Sequence, residues 1–260
     1  ERAAHHMHRI IGDLQDVALA ARMIPVSTTF RKMIRLVHDV SQKAGKKVQL
    51  ELVGEETEVD KTVIEKIADP LVHIVRNSVD HGIEPPEDRI RAGKSDTGKV
   101  LLNARHEAGE VWIEITDDGK GLDRDKILAK AIERGLVMGD GSDMDDSDVF
   151  ELIFAPGFST ADQVTDISGR GVGMDVVKRN IEELKGRVSV RSQVGQGSTV
   201  TLRIPLTLAI IEGMMLRVGV NRYTVPLLTI RETVRPKKGD ITVTPTGREV
   251  VRIRDELLPV

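Results

Sequence analysis

The chain has 260 residues, 38 Lys and Arg against 41 Asp and Glu, and a formal net charge of -3. That length supports one large domain or two with a sizeable core. The near balance of charge, with one Trp, one Tyr and four Phe, argues against a general nucleic-acid binder that stacks bases on aromatic rings. The absence of cysteine excludes disulfides and thiolate metal sites and is compatible with a reducing compartment.

No apolar run approaches the ~18 residues of a membrane helix, and no signal peptide is visible. A cytoplasmic location without direct membrane insertion is expected. Both ends look cut, so a fragment of a longer protein is expected.

Residues 1 to about 24 read as a helix. Met7, Ile10, Leu14, Val17, Ala21 and Ile24 recur in alternating three- and four-residue steps, a heptad seam that suits a bundle or dimer helix. An amphipathic helix packed on its own domain is the competing account. His5, His6 and His8 lie beside the seam without a carboxylate at helical spacing, so solvated histidines are expected there. Pro25 ends the helix. A second helix is predicted from about Thr29 to Ala44, with Phe30, Met33, Ile34, Val37 and Val40 on one face. Gly45 closes it, and Lys43, Lys46 and Lys47 suit its C-terminus.

Val48 to Val53 alternates as a strand. Asp60 opens a helix with Val63, Ile64 and Ile67 inward. A further helix is predicted from about Pro70 to His81, stopped by Gly82. Val100 to His106 and Glu110 to Ile115 form two strands around a turn at Gly109. Asp125 to Arg134 reads as a helix, Gly139 to Asp148 as an acidic loop, and Gly173 to Leu184 as a helix opened by glycines. Arg187 to Ser192 and Ser198 to Ile204 make another hairpin. Beyond Pro205 the pattern changes to short strands, at Met214 to Val218, Tyr223 to Leu227 and Val250 to Ile253, as in a separate small β domain.

Three segments carry chemistry. On the helix before Gly82, His73, Asn77 and His81 follow at i, i+4 and i+8, so they share a face, with Asp80 beside them. Leu71, Ile74, Val75 and Val79 can face a core. An Asn oxygen is a hard ligand that suits Mg²⁺, and a neutral imidazole can orient or deprotonate an attacking group. A solvated polar stripe is the alternative. The second segment is Asp117-Asp118-Gly119-Lys120-Gly121. Its glycines permit close approach of a ligand, and its carboxylate could accept the exocyclic amine of adenine; a plain strand-to-turn signal is equally available. The third is Ser168-Gly169-Arg170-Gly171-Val172-Gly173-Met174-Asp175, glycines running into a helix whose N-terminus suits phosphate. It lacks the Lys-Ser/Thr ending of a P-loop, and a glycine loop without a ligand is the other account.

In this order, the Asn helix, Asp-x-Gly-x-Gly, a Phe-containing segment, Gly-x-Gly-x-Gly and a terminal Gly-Ser resemble the ATPase domain shared by histidine kinases, DNA gyrase, mismatch-repair proteins and a heat-shock chaperone. Leu71 to Glu84, Phe154 to Thr160, Ser168 to Val177 and Pro205 to Ile211 narrow the resemblance to chemotaxis-type histidine kinases. It extends upstream through Arg22 to Val26 and Gly45 to Val48.

The resemblance implies an α+β fold, a two-layer α/β sandwich of the Bergerat type, with helices on one face of a mixed, mostly antiparallel sheet. It implies an N-terminal dimerisation helix and hinge (1–26), an ATP-binding kinase domain (27–206) and the start of a regulatory SH3-like β-barrel, cut short (207–260). His73 would be the catalytic base or orienting residue for a phospho-accepting histidine, and Asn77 would bind Mg²⁺. Arg76, His81 and Lys126 would lie near the nucleotide phosphates, and Asp80 would be a further nucleotide-binding residue. Asp117 would take the adenine amine, with Gly119, Gly121 and Ser198 around it. Ser168, Gly169, Arg170, Gly171, Val172, Gly173 and Met174 would form the phosphate-side loop, and 139–165 a lid over ATP.

Two features depart from the family. The last box ends Gly197-Ser198 where the family often has Gly-Thr, which keeps the hydroxyl. The substrate histidine is absent, and His38-Asp39 lacks the proline that usually follows such a pair. The phospho-acceptor is therefore expected on a histidine phosphotransfer domain in trans, with a response regulator downstream. A coupling protein and chemoreceptor would be met through the C-terminal β domain, and a homodimer is expected. A conformational-switch ATPase and a nucleotide-binding scaffold of the same superfamily are the rival readings.

Overall fold

A computed structural model describes residues 21–137, 139–141, 143–156, 158, 173–206, 213–226, 230, 232–236, 240–243, 249–253 and 256–259. The chain divides into two compact units, 1–209 and 210–260. The heptad segment 1–20 and, within and beside the 139–165 stretch, residues 138, 142, 157 and 159–172 fall outside the described residues.

The first unit begins with β1 (Met23–Pro25), paired antiparallel with β3 (Glu58–Asp60). The helix expected to reach residue 24 has therefore given way to a strand. Pro25 cannot continue a helix, and Ile24 pairs with Val59 instead. Between them lie α1 (Ser27–Lys43) and β2 (Val48–Val53). On α1 Phe30, Met33 and Val37 are buried as expected, but Ile34 is 51% exposed, because the buried stripe is narrower than the run of apolar residues.

The two helices expected around Pro70 are one, α2 (Lys61–Asn77). The Asp60 side chain caps it by accepting from the Thr62 amide at 2.7 Å, and Arg22 pairs with the same carboxylate at 3.3 Å. Pro70 forfeits one backbone bond. Burial of Ile67, Pro70, Leu71 and Ile74 keeps the helix continuous, since each buried aliphatic side chain returns about 1.5–3 kcal/mol. The helix then widens into a π-turn, Ser78–Gly82, closed by the Ile83 amide donating to Ser78 O at 2.8 Å.

A short helix that the sequence reading missed, α3 (Pro86–Arg91), leads into β4 (Gly98–Glu107) and β5 (Glu110–Asp117). Next come α4 (Arg124–Glu133), α5 (Asp146–Glu151) and a 3₁₀ turn at Leu152–Phe154. The acidic stretch expected as loop to residue 148 thus already contains a helix start, with Asp145 accepting from the Asp148 amide at 2.9 Å. The unit ends with α6 (Met174–Glu183), β6 (Arg187–Gln193) and β7 (Gly197–Pro205).

The sheet order is β2-β4-β5-β7-β6. Only β2 and β4 run parallel; β4–β5, β5–β7 and β7–β6 are antiparallel. Period-two alternation puts Val100, Leu102, Ala104, Val111, Ile113, Ile115 and Leu202 on the buried face. They join Leu71, Ile74 and Val75 of α2 and Val177 and Ile181 of α6 in one core. On the other face Trp112 lies between the guanidiniums of Arg105 and Arg203, 4.9 and 4.0 Å from its ring centre. This is a mixed, mostly antiparallel sheet with α2 and α6 on its buried face.

The second unit contributes a hairpin, β8 (Gly213–Val218) with β9 (Asn221–Pro226), and a separate antiparallel sheet. That sheet comprises β10 (Ile241–Val243), β11 (Glu249–Ile253) and β12 (Glu256–Pro259).

Candidate functional site

The last turn of α2, the π-turn, the end of β5 and the start of α6 supply the candidate residues. Along α2 the core takes Leu71, Ile74 and Val75, which leaves His73, Arg76 and Asn77 half-buried on the other side. The π-turn takes Asp80 and His81 out of strict four-residue register, and both are exposed. His81 still lies near enough to act on His73.

Burial, and then the neighbouring charges of Arg76 and His81, push the His73 imidazole below its ordinary value, against a weaker opposing effect of Asp175 in the first turn of α6. A ring lowered from 6.5 is neutral at pH 7 and has a lone pair to offer. Asn77 Nδ2 donates to Met174 Sδ at 3.2 Å, which ties α2 to α6 and leaves the carboxamide oxygen without a partner among the described residues. Gly173 caps α6 with its backbone alone.

Asp117 ends β5 and is 5% exposed. Its Oδ1 accepts from the Gly119 amide at 3.0 Å. Burial raises its pKa to about 6, opposed by hydrogen bonds from Gly119, the Ser78 hydroxyl and the Ser198 backbone. At pH 7 and above it is still mostly a carboxylate, the form that accepts an amine. Gly119 cannot carry a side chain, because a Cβ there would run into the carbonyl of Gly82. Gly121 has φ +75 and sits against the Gln193 carbonyl, so it too is held to glycine. Ser198 lies opposite Asp117 in the β5–β7 register, and its hydroxyl is 2.9 Å from that of Ser192.

Lys126 lies on α4, in its first turn. Its ammonium pairs with Asp123 at 2.9 Å and is 84% exposed. The Ser168 to Val172 loop lies outside the described residues. Sequence reasoning missed Ser78, although it lies inside the motif on the buried face. It also missed Lys46, whose ammonium donates to the carbonyls of Val79 at 2.9 Å and Asp80 at 2.6 Å and so closes the π-turn. Burial lowers the Lys46 pKa. The sequence places Lys46 at the end of its own helix, and nothing local points to the longer reach.

The family model described as histidine kinase-, DNA gyrase B- and HSP90-like ATPase matches residues 66–208. The chain belongs to this ATPase family. The matched stretch includes every site residue named above except Lys46. Among curated relatives, it is 49% identical over 254 residues, 98% of its length, to chemotaxis protein CheA of Salmonella typhimurium, of which it covers 38%. It is 49% identical over 255 residues, 98% of its length, to chemotaxis protein CheA of Bacillus subtilis, again covering 38% of that protein. It is 50% identical over 247 residues, 95% of its length, to sensor histidine kinase CheAY of Helicobacter pylori, of which it covers 31%. The chain therefore spans between 31% and 38% of the length of these relatives.

Among the described residues no group of three or more His, Cys, Asp or Glu side chains could hold a metal ion. A cation at Asn77 would complete its shell with phosphate oxygens and water, as Mg²⁺ does beside nucleotides. The free Asn77 oxygen fits that part. No helix among the described residues is long and apolar enough to cross a membrane.

Proposed function

We propose that this chain is the ATP-binding catalytic core of a chemotaxis-type histidine kinase, moving the γ-phosphoryl group of ATP to a histidine on a separate phosphotransfer domain. The observation that carries the reading is a neutral, half-buried His73 one helical turn before Asn77, with the buried Asp117 carboxylate beyond the π-turn.

In this account Asp117 accepts the adenine amine, and Gly119 and Gly121 let the base lie against backbone. Arg76, His81 and Lys126, with the 168–174 loop, would surround the phosphates, and Asp80 would bind elsewhere on the nucleotide. Asn77 would hold Mg²⁺, which would supply charge neutralisation on the transferring group. His73 holds or takes the proton of the incoming imidazole so that its other nitrogen is free to attack. Position and charge do most of the work, as phosphoryl transfer requires. Residues 139–165 would close over the nucleotide.

Residues 1–26 would serve homodimerisation, and 207–260 would begin a barrel-type domain meeting a coupling protein and chemoreceptor, with a response regulator receiving the phosphoryl group afterwards. The location would be cytoplasmic. The names of the relatives, chemotaxis protein CheA and sensor histidine kinase CheAY, support the chemotaxis assignment. The rival within the family is a conformational ATPase, and phosphate release separates the two. With Mg-ATP and no protein acceptor, a kinase core should release phosphate only slowly. Sustained hydrolysis without any acceptor would favour the switch.

A further inference from the structure

The Asp117 turn is held from one side by a charged cluster built around Arg89 and Lys94, neither of which lies in a sequence motif. Arg89 of α3 is 1% exposed. Its guanidinium donates to Ser95 O at 2.8 Å, Glu84 Oε2 at 3.0 Å, Asp118 O at 3.2 Å and Asp118 Oδ2 at 2.8 Å. Lys94 lies 18% exposed beside it. All three donors of its ammonium are taken: Glu84 Oε1 at 2.9 Å, Asp118 O at 2.8 Å and Gly119 O at 2.7 Å. Burial works against the charged Glu84, but the hydrogen bonds from Lys94 and Arg89 outweigh it and hold the carboxyl below its ordinary range.

Two further bonds close the frame. The Lys120 amide donates to Gly82 O at 3.0 Å, and the Lys99 amide donates to Asp118 Oδ1 at 2.8 Å. Each carbonyl and carboxylate of the Asp118-Gly119 segment is thus fixed from the 82–99 segment. The Gly119 amide, which orients Asp117 Oδ1, belongs to the peptide whose carbonyl is Asp118 O. That is the oxygen both Lys94 and Arg89 grip. A cation on this carbonyl fixes the plane of the peptide and with it the direction of the amide aimed at Asp117.

We propose that Lys94 and Arg89 are positioning residues for base selection, setting through the Asp118–Gly119 peptide the orientation in which Asp117 distinguishes a purine bearing a 6-amino group. This rests on the reading of Asp117 as the acceptor of the adenine amine. Neither cation touches the base. Their effect therefore falls on the affinity for the amino group and leaves the phosphate end alone, which a general loss of stability would not do.

The test compares dissociation constants of the 260-residue chain for ATP and for purine riboside triphosphate, which lacks the 6-amino group. The unsubstituted chain should prefer ATP. Lys94→Met should lower that preference about fivefold while changing purine riboside triphosphate affinity less than about twofold, the scale of one hydrogen bond. Lys94→Arg should restore most of it, and Lys94→Met added to Asp117→Asn should have no further effect on the ratio. Should Lys94→Met melt below the assay temperature, Lys94→Gln carries the same comparison. Equal losses for both nucleotides, no loss, or the same loss in the Asp117→Asn background would each overturn the proposal. No preference in the unsubstituted chain would instead sink the reading of Asp117 itself.

Discussion

Asn77 and Met174, 97 positions apart in sequence, meet through an Nδ2-to-Sδ hydrogen bond of 3.2 Å. The thioether is a weak acceptor, yet it decides which end of the carboxamide faces α6. With the amide nitrogen engaged, the oxygen is left for a cation.

Asn77→Ala should therefore sharply weaken Mg-dependent ATP binding. Met174→Leu, which keeps the volume and removes the acceptor, should weaken it by about tenfold or less, the lower end of effects seen when an outer partner of a metal ligand is lost. Titrations with Mg²⁺ and with chelator separate the effects, because binding of metal-free ADP should change little in either variant. Unchanged Mg-ATP affinity in Asn77→Ala would remove Asn77 from the cation site.

Asp117 carries a cost in stability. Its pKa is raised from 3.8 to about 6 by burial, so between those values the native state keeps a proton the unfolded chain has released. Stability then falls as pH rises through that window and stays lost above it. The shift corresponds to about 3 kcal/mol. Asp117→Asn should raise the melting midpoint at pH 7.5, flatten its dependence between pH 4 and 6, and reduce ATP affinity. A lower midpoint at pH 7.5 would contradict this account of the buried carboxyl.

His73→Gln should spare nucleotide affinity and slow phosphoryl transfer by about a hundredfold, within the range of a lost general base. Because the folded pKa lies below 6.5, transfer by the unsubstituted chain should fall only as pH drops below that value and be flat above pH 7. A normal transfer rate in His73→Gln would deny the imidazole a catalytic part.

Much of this arrangement was legible in the sequence because it is local. Asp60 announces the start of α2, the alternation of β4 and β5 places Val100 and Ile113 inward, and Asp117 with its glycines marks the end of a strand. The failures are non-local. Met23–Pro25 is a strand only because Glu58–Asp60 pairs with it. Pro70 interrupts the local signal of a helix that burial on both sides keeps whole. The π-turn at Ser78 is invisible to a count of four-residue steps, and with it the true exposure of Asp80 and His81. Lys46, Arg89 and Lys94 act on backbone carbonyls far along the chain, which no spacing rule records. The glycine loop at 168–172 was the clearest phosphate signal in the sequence, and it lies outside the described residues.

Transfer in trans tests the central claim most directly. The chain would be incubated with Mg-ATP labelled at the γ-phosphate and a separately made histidine phosphotransfer domain from the same source, with nucleotide binding measured in parallel. The expected result is acid-labile label on that domain, reduced by His73→Gln. Confirmed nucleotide binding with no label on the acceptor would contradict the kinase account and leave a nucleotide-binding switch in its place.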